Sequence, residues 1–304
     1  MPKTCVIFNP TARGEKAKAF QDQLTRLSDR FTLRPTTAPG AARQLAQEAV
    51  AEGFHRIVAA GGDGTVNEVA NGLLDAGTSR YSDVALGIIP LGTVNVFAKE
   101  LGIPTRVEEA LRVIEAGHSR NIDVPFATFR TASQSEEARA FLQLAGAGLD
   151  ARAISRVRWD LKKKFGPLAY IMAGFEALRE RIAPIAAQSA ENTVSGPLVL
   201  VGNGRFYGGR FAVFPNADLN DGWLDVAVFP KAGLGTLLLF GLGWLTGNVN
   251  RWTGAIVWRT QQLTLSCPHA MPVELEGDNV GFLPAVIRIT GQRLKVIVPL
   301  LTHH

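Results

Sequence analysis

The sequence predicts an α/β N-terminal domain with a parallel sheet, followed by a second domain that is mainly an antiparallel β-sandwich. Three observations predict it. Over roughly the first 120 residues, short apolar runs alternate with stretches of helical periodicity, the pattern of strands joined by crossover helices. Beyond about Asp123, strand-like runs crowd together and helices become sparse, which suits a sandwich or barrel. At 304 residues the chain is long enough for two domains, each with its own core.

In the first domain, Cys5–Phe8, Phe31–Arg34, Arg56–Ala60 and Ala85–Ile89 read as strands, and Lys16–Leu27, Ala42–Glu52 and Thr65–Leu74 as helices. Most strands end in a turn rich in Gly, Pro, Asn or Thr: Asn9-Pro10-Thr11, Thr36–Gly40, Gly61–Thr65 and Pro90–Thr93. Ligands of open α/β sheets bind beyond the carboxyl ends of the strands, so four such turns at one edge would form a nucleotide-sized crevice. In the second domain the expected strands are Ala140–Ala145, Pro197–Gly202, Arg210–Phe214, Trp223–Phe229, Ala255–Trp258, Gln262–Ser266, Pro272–Glu276, Ala285–Thr290 and Leu294–Val298. Helical inserts are expected at Leu168–Arg181 and Leu234–Leu245. The expected division is 1–123 and 124–292, with the last strand, 293–304, returning to the first sheet.

Nearly half the residues (46%) are hydrophobic and 19% are charged, which excludes a disordered chain. A net charge of +5 favours anionic partners: nucleotides, nucleic acid or an acidic membrane surface. Nucleic acid has only this charge behind it, with no recognised module, and is not expected. Cys5 and Cys267 lie in apolar strand-like surroundings and read as buried free thiols of a reducing compartment. The start of the chain runs directly into a strand, with no signal-peptide apolar region. The longest apolar stretch, Leu234–Leu245, is short of the ~20 residues needed to span a bilayer. A soluble or peripheral protein is expected.

The run Gly61-Gly62-Asp63-Gly64-Thr65 follows a strand and opens a helix. Glycines let the backbone approach a ligand closely, and the helix N-terminus presents N–H groups and a partial positive charge suited to phosphate. No Walker lysine is present, so this is not the P-loop of common NTPases. An acid inside a phosphate loop is unfavourable unless it meets a metal or takes a proton, which marks Asp63 as functional. The plainer reading is a tight turn with Asp63 as helix N-cap.

Gly61–Thr65 with Val66-Asn67-Glu68-Val69-Ala70-Asn71-Gly72-Leu73 resembles the diacylglycerol kinase catalytic-domain superfamily, which includes bacterial lipid kinases, sphingosine kinases and ceramide kinases. The short loop is shared with NAD kinases and resembles that of phosphofructokinases. The other matches distinguish them: Asn9-Pro10, Pro90–Lys99, Tyr207-Gly208-Gly209 and Pro215–Val226, in order along the chain.

The resemblance implies a phosphofructokinase/NAD-kinase-like first domain that binds nucleotide and a second that binds the lipid acceptor, with ATP between them. It makes Asn9, Thr37, Gly61, Gly62, Gly64, Thr65, Glu68, Gly92, Thr93, Asn95 and Asp278 nucleotide-binding candidates. Asp63 becomes the catalytic or magnesium-associated carboxylate, and Asp123 an acid of the magnesium–water network; otherwise Asp123 is a strand-end turn residue. Asp218, Asp221 and Trp223 become a structural magnesium site, with the Asp221 carboxylate and the backbone carbonyls of the other two as ligands; hard oxygen donors suit that ion. An ordinary Asn-Asp-Gly hairpin turn is compatible with it.

Two departures stand out. The family's Asp-Gly-Glu reads Glu276-Gly277-Asp278 here, placing Glu276, one methylene longer, at the proposed general base. Val94 and Val96 replace a small residue and an aspartate, which implies a difference in lipid head group. The implied reaction is transfer of the ATP γ-phosphoryl group to a lipid hydroxyl with magnesium. Catalysis would rest on positioning and charge neutralisation, with one carboxylate taking the hydroxyl proton. An NAD kinase and a catalytically weakened lipid-binding pseudokinase stay open as alternatives, as does a homodimer. Lipid substrate implies peripheral contact at the inner face of the membrane in the cytoplasm. The basic run at 151–164, with Trp159, and Leu234–Leu245 with Trp252 and Trp258 are the candidate contacts; the first reads equally as a solvated helix face, and for Leu234–Leu245 a packed core helix is the favoured reading.

Overall fold

The structure is a computed structural model; it describes residues 3–10, 15–77, 81–148, 183–209, 211–231, 243 and 249–300. All of the basic run, the insert Leu168–Arg181 and all but Gly243 of the insert Leu234–Leu245 lie outside the described residues. The chain divides into two compact units, residues 1–124 with 292–304, and residues 125–291.

In the first unit, β1 (Thr4–Phe8), β2 (Thr32–Pro35), β3 (Arg56–Gly61) and β4 (Ala85–Pro90) form a parallel sheet in the order β4-β3-β1-β2. The end of the long strand β17 (Asp278–Ile297) adds to β4 through Val296 and Leu86, also parallel. β1, β3 and β4 are buried almost throughout, as continuous apolar runs in a parallel sheet covered on both faces must be. The helices are α1 (Glu15–Gln21), α2 (Leu24–Ser28), α3 (Ala41–Ala51), α4 (Asp63–Asp75), α5 (Val96–Glu100) and α6 (Val107–Ala116). The helix expected over Lys16–Leu27 is thus two short helices, which the apolar periodicity alone did not separate. α3 and α4 pack with Gly72 against the backbone of Arg43, where a Cβ would collide with the Arg43 carbonyl.

The second unit is mainly antiparallel. Its sheet runs β14 (Ile256–Thr260), β13 (Leu224–Phe229), β10 (Leu198–Gly202), β7 (Leu144–Gly148), β16 (Pro272–Leu275), then the first part of β17. Around it β15 (Gln262–Ser266) pairs with β17 and β8 (Ile185–Gln188), β8 with β9 (Thr193–Gly196), and the end of β5 (Ser119–Arg130) with β6 (Glu136–Ala140). β11 (Phe206–Tyr207) and β12 (Phe211–Ala212) form a small separate ladder, and α7 (Val249–Thr253) precedes β14. Inward residues Phe129, Phe141, Val199, Val201, Val226, Leu265 and Ile287 close one core. A second, smaller core gathers Leu200, Phe214 and Phe229.

Three element readings need correction. Ala285–Thr290 and Leu294–Val298 belong to one strand, β17, which runs on past Gly291 although that glycine has positive φ. The run Ala140–Ala145 is not one strand: β6 ends at Ala140, β7 starts at Leu144, and the turn between is fixed by side chains described below. Asp123 lies within β5, not in a strand-end turn, and is 2% exposed. Cys5 and Cys267 are free thiols; Cys5 is buried, its thiol pushed up to about 11 by burial, whereas Cys267 is only part-buried, unlike the expected buried pair. Among the described residues no helix is long and apolar enough to cross a membrane.

Candidate active site

Parallel strands point their carboxyl ends the same way, and the register of the first unit aligns those ends. Phe8 sits level with Pro35 and with Ala60, and Gly61 with Pro90. Asn9, the Thr36–Gly40 turn, Gly62–Thr65 and Gly92–Asn95 therefore leave one edge of one sheet. Backbone bonds stitch the turns together: Thr36 N–H donates to Phe8 O (2.8 Å), and Leu91 N–H donates to Gly61 O (2.9 Å).

The two glycine turns touch. A Cβ on Gly92 would lie 2.5 Å from Gly62 Cα, and one on Gly61 would lie 2.5 Å from Thr65 Cβ, so only glycine lets these backbones meet. Asn95, 3% exposed and at φ +53, closes the second turn by accepting from Gly92 N–H (2.9 Å) and donating to Gly92 O (2.6 Å). Asp63 joins the turns. It is the first residue of α4, and its Oδ1 accepts the Phe97 N–H (3.2 Å) at the start of α5. Burial pushes its carboxyl above the usual carboxylate range, against the pull of the Phe97, Val96 and Asn95 N–H groups and of Lys99. The first N–H groups of α4 have no acceptor within the helix, and a helix N-terminus of this kind suits an anion. Thr37 and Thr93 are exposed on this rim, and Asn9 is part-buried.

Glu68 sits one turn further along α4. Its two carboxylate oxygens accept from Gly40 N–H (2.9 Å) and Ala42 N–H (3.2 Å), capping α3 from outside. The carboxylate thereby fixes the Thr36–Gly40 turn, a role that sequence reasoning missed when it grouped Glu68 with the nucleotide contacts. Glu68→Ala is expected to cost about 1–2 kcal/mol in denaturant unfolding, the usual loss of a cap, and to raise the KM for nucleotide more than it lowers kcat. Glu68→Gln, which keeps one acceptor, is expected to fall between.

Asp123 pairs with Arg293 Nε at 3.2 Å. In the second unit Glu276 and Gly277 form the two-residue loop between β16 and β17, both at positive φ (+55 and +83). Such loops favour Asn, Asp or Gly at the first position. The longer Glu276 is held there because its Oε1 accepts both the Leu142 and the Gln143 N–H, each at 2.7 Å, while its own N–H donates to Leu144 O. This carboxylate shapes the turn between β6 and β7. Behind the same turn, Asn203 donates to Leu142 O (2.8 Å) and Gln143 to Phe206 O (3.0 Å); both side chains are 1% exposed. Glu274 Oε2 accepts Gly277 N–H at 2.6 Å. Asp278, the first residue of β17, is exposed.

Asp218, Asp221 and Trp223 lie in the turn leading into β13. Asp218 Oδ1 accepts the Asn220 N–H (3.3 Å) and Asp221 Oδ1 accepts the Trp223 N–H (3.0 Å). Asp221 Oδ2 is taken by the Arg259 guanidinium, whose Nε also lies 3.6 Å from Asp225. Among the described residues no group of three or more His, Cys, Asp or Glu is placed to hold a metal ion. With a fixed cation on one oxygen of Asp221 and a main-chain N–H on the other, this turn does not fit a magnesium ion. Arg259 was not singled out from sequence; only strand pairing reveals it.

The diacylglycerol kinase catalytic domain family matches residues 3–127, and the YegS C-terminal NAD kinase beta sandwich-like domain family matches residues 143–298. The chain is 30% identical to the probable lipid kinase YegS of Escherichia fergusonii over 99% of each chain. It is 29% identical to the diacylglycerol kinase of Bacillus subtilis over 98% of this chain and 97% of the other. A crystal structure of a diacylglycerol kinase from Bacillus anthracis superposes with a TM-score of 0.74 at 25% identity, covering 98% of this chain and 97% of that one.

Proposed function

This chain belongs to the diacylglycerol kinase catalytic-domain family and is a lipid kinase, and we propose that it transfers the γ-phosphoryl group of ATP, with magnesium, to the hydroxyl of a diacylglycerol or sphingoid-like membrane lipid. The observation that carries the reading is the pair of glycine turns clipped together by Asp63 at the carboxyl edge of the parallel sheet. Its backbone N–H groups would bind the nucleotide phosphates and neutralise charge as it shifts during transfer. Gly62, Gly64, Thr65, Gly92 and Thr93 would form that cradle, with Asn9 and Thr37 at its rim.

Magnesium would arrive with the nucleotide and supply further charge neutralisation, with Asp63 the candidate carboxylate of the first unit to meet it; Asp123 is held by Arg293. Asp63, held by burial above the usual carboxylate range, would also keep the second glycine turn in place through Phe97 N–H. Glu276 is our candidate to accept the hydroxyl proton, since one oxygen is committed to the Leu142–Gln143 turn and its direction is thereby fixed. Contact with the membrane surface is supported by Trp252, Ile256 and Val257, each more than 40% exposed around the edge strand β14. Trp258 packs against the core of the second unit instead.

The test is incubation with labelled ATP and magnesium against a panel of diacylglycerol, sphingosine, ceramide, monoacylglycerol, phosphatidylglycerol and NAD. Label on one or more lipids is expected. Label on NAD alone would overturn the reading, and ATP binding without transfer would favour a pseudokinase.

A further inference from the structure

The turn that the family resemblance assigns to a structural magnesium ion is built differently in this chain. β13 and β14 pair antiparallel with Asp225 directly opposite Arg259, so the register itself delivers the guanidinium to the start of β13. There it meets two acids. Arg259 Nη2 binds Asp221 Oδ2, and Nε approaches Asp225 Oδ2 at 3.6 Å. Asp225 is 7% exposed, so its charge needs a compensating neighbour inside the fold. The remaining oxygen of Asp221 is used by Trp223 N–H, and Gly222, at φ +77, lets the chain double back to make that bond. Gln261, two residues after Arg259, adds a bond from Nε2 to Gly222 O (3.3 Å), tying the same turn to the strand that carries the arginine.

We infer that Arg259 is the resident cation of the Asp218–Asp225 turn, and that this chain closes the turn with an internal guanidinium where a divalent metal would otherwise be needed. A planar fork of donors satisfies two carboxylates at once and cannot be lost to chelation. The turn is distinct from Glu276. Across the sheet Asp225 pairs with Gly202, Gly202 with Leu144, and Leu144 O receives the Glu276 N–H, which sets the two acids three strand spacings apart, or about 14 Å. The role is therefore structural, and independent of the lipid kinase reading.

The experiment is thermal melting without nucleotide, in EDTA and in millimolar magnesium, of the wild type, Arg259→Gln, Arg259→Lys and Asp221→Asn. The wild type is expected to melt at the same temperature in both conditions. Arg259→Gln is expected to melt lower by about 2–4 °C or more, and Arg259→Lys to recover part of the loss. A magnesium-dependent rise in the wild type that Asp221→Asn abolishes would overturn the inference, and so would an Arg259→Gln protein that melts like the wild type. Should Arg259→Gln fail to fold, manganese titration of wild type against Asp221→Asn, followed by electron paramagnetic resonance, decides. Equal binding supports the internal cation; a site lost with Asp221 overturns it.

Discussion

Asp63→Asn is expected to fold as well as the wild type and to transfer phosphate about 10²–10⁴-fold more slowly, the range for losing a carboxylate that acts on a proton or on transition-state charge. The two effects separate because the residue has two jobs. Its structural job is to accept the Phe97 N–H, and an asparagine Oδ1 can do that in the same place. Its proposed chemical job needs a negative charge beside the proposed phosphate cradle. That charge is costly in the fold: burial raises the Asp63 carboxyl above its ordinary value. A raised folded pKa means the folded state binds the proton more tightly than the unfolded chain does. The associated stability is fully present below the unfolded value, about 4, and is lost as the pH rises through the folded value. At neutral pH the wild type therefore carries a penalty that Asn removes. Asp63→Asn should melt at or above the wild type at pH 7, with the difference shrinking toward pH 4. Full activity in this variant would refute the role of Asp63.

Glu276 gives the second large effect, and here the substitutions must be chosen to separate chemistry from shape. Glu276→Gln keeps a side-chain oxygen for the Leu142 and Gln143 N–H groups, so it should melt near the wild type. It removes the base, and kcat should fall about 10²-fold or more with little change in KM. Glu276→Ala loses both. Two N–H groups in a buried turn are left without the carboxylate, at about 1–3 kcal/mol each, so unfolding in denaturant should shift along with activity. Wild-type turnover by Glu276→Gln would leave the residue a purely structural strut. Glu in place of the family's Asp at this position adds a methylene, which reads from the sequence as a loss of precision. The structure adds that the longer side chain spans to a neighbouring turn and offsets the strain of a non-glycine residue at positive φ.

Much of the proposed nucleotide side was legible without coordinates. Apolar runs ending in glycine turns fix strand direction locally, and a parallel sheet then has only one way to collect those turns. The spacing of Gly61–Thr65 and Pro90–Asn95 after their strands was enough to place both at one edge. What local pattern could not supply was the bond between them, because Asp63 and Phe97 are 34 positions apart and nothing in either segment names its partner.

The same limit explains the misread elements. Ala140–Ala145 is apolar except for Gln143 and looks like one strand. It breaks because Glu276, more than 130 residues away, offers two N–H groups a better partner than a continued ladder. Glu68 looked like part of a ligand motif, and only the packing of α4 beside α3 shows its carboxylate spent on Gly40 and Ala42. Residue types and their spacing thus determined the fold class, the family and the edge proposed to bind phosphate, since these follow from periodicity and turn chemistry. The employment of each charged group was decided by the tertiary structure alone. A carboxylate bonds whichever donor the fold brings within about 3 Å, and in Asp221 that donor is an arginine delivered by the register of a neighbouring strand.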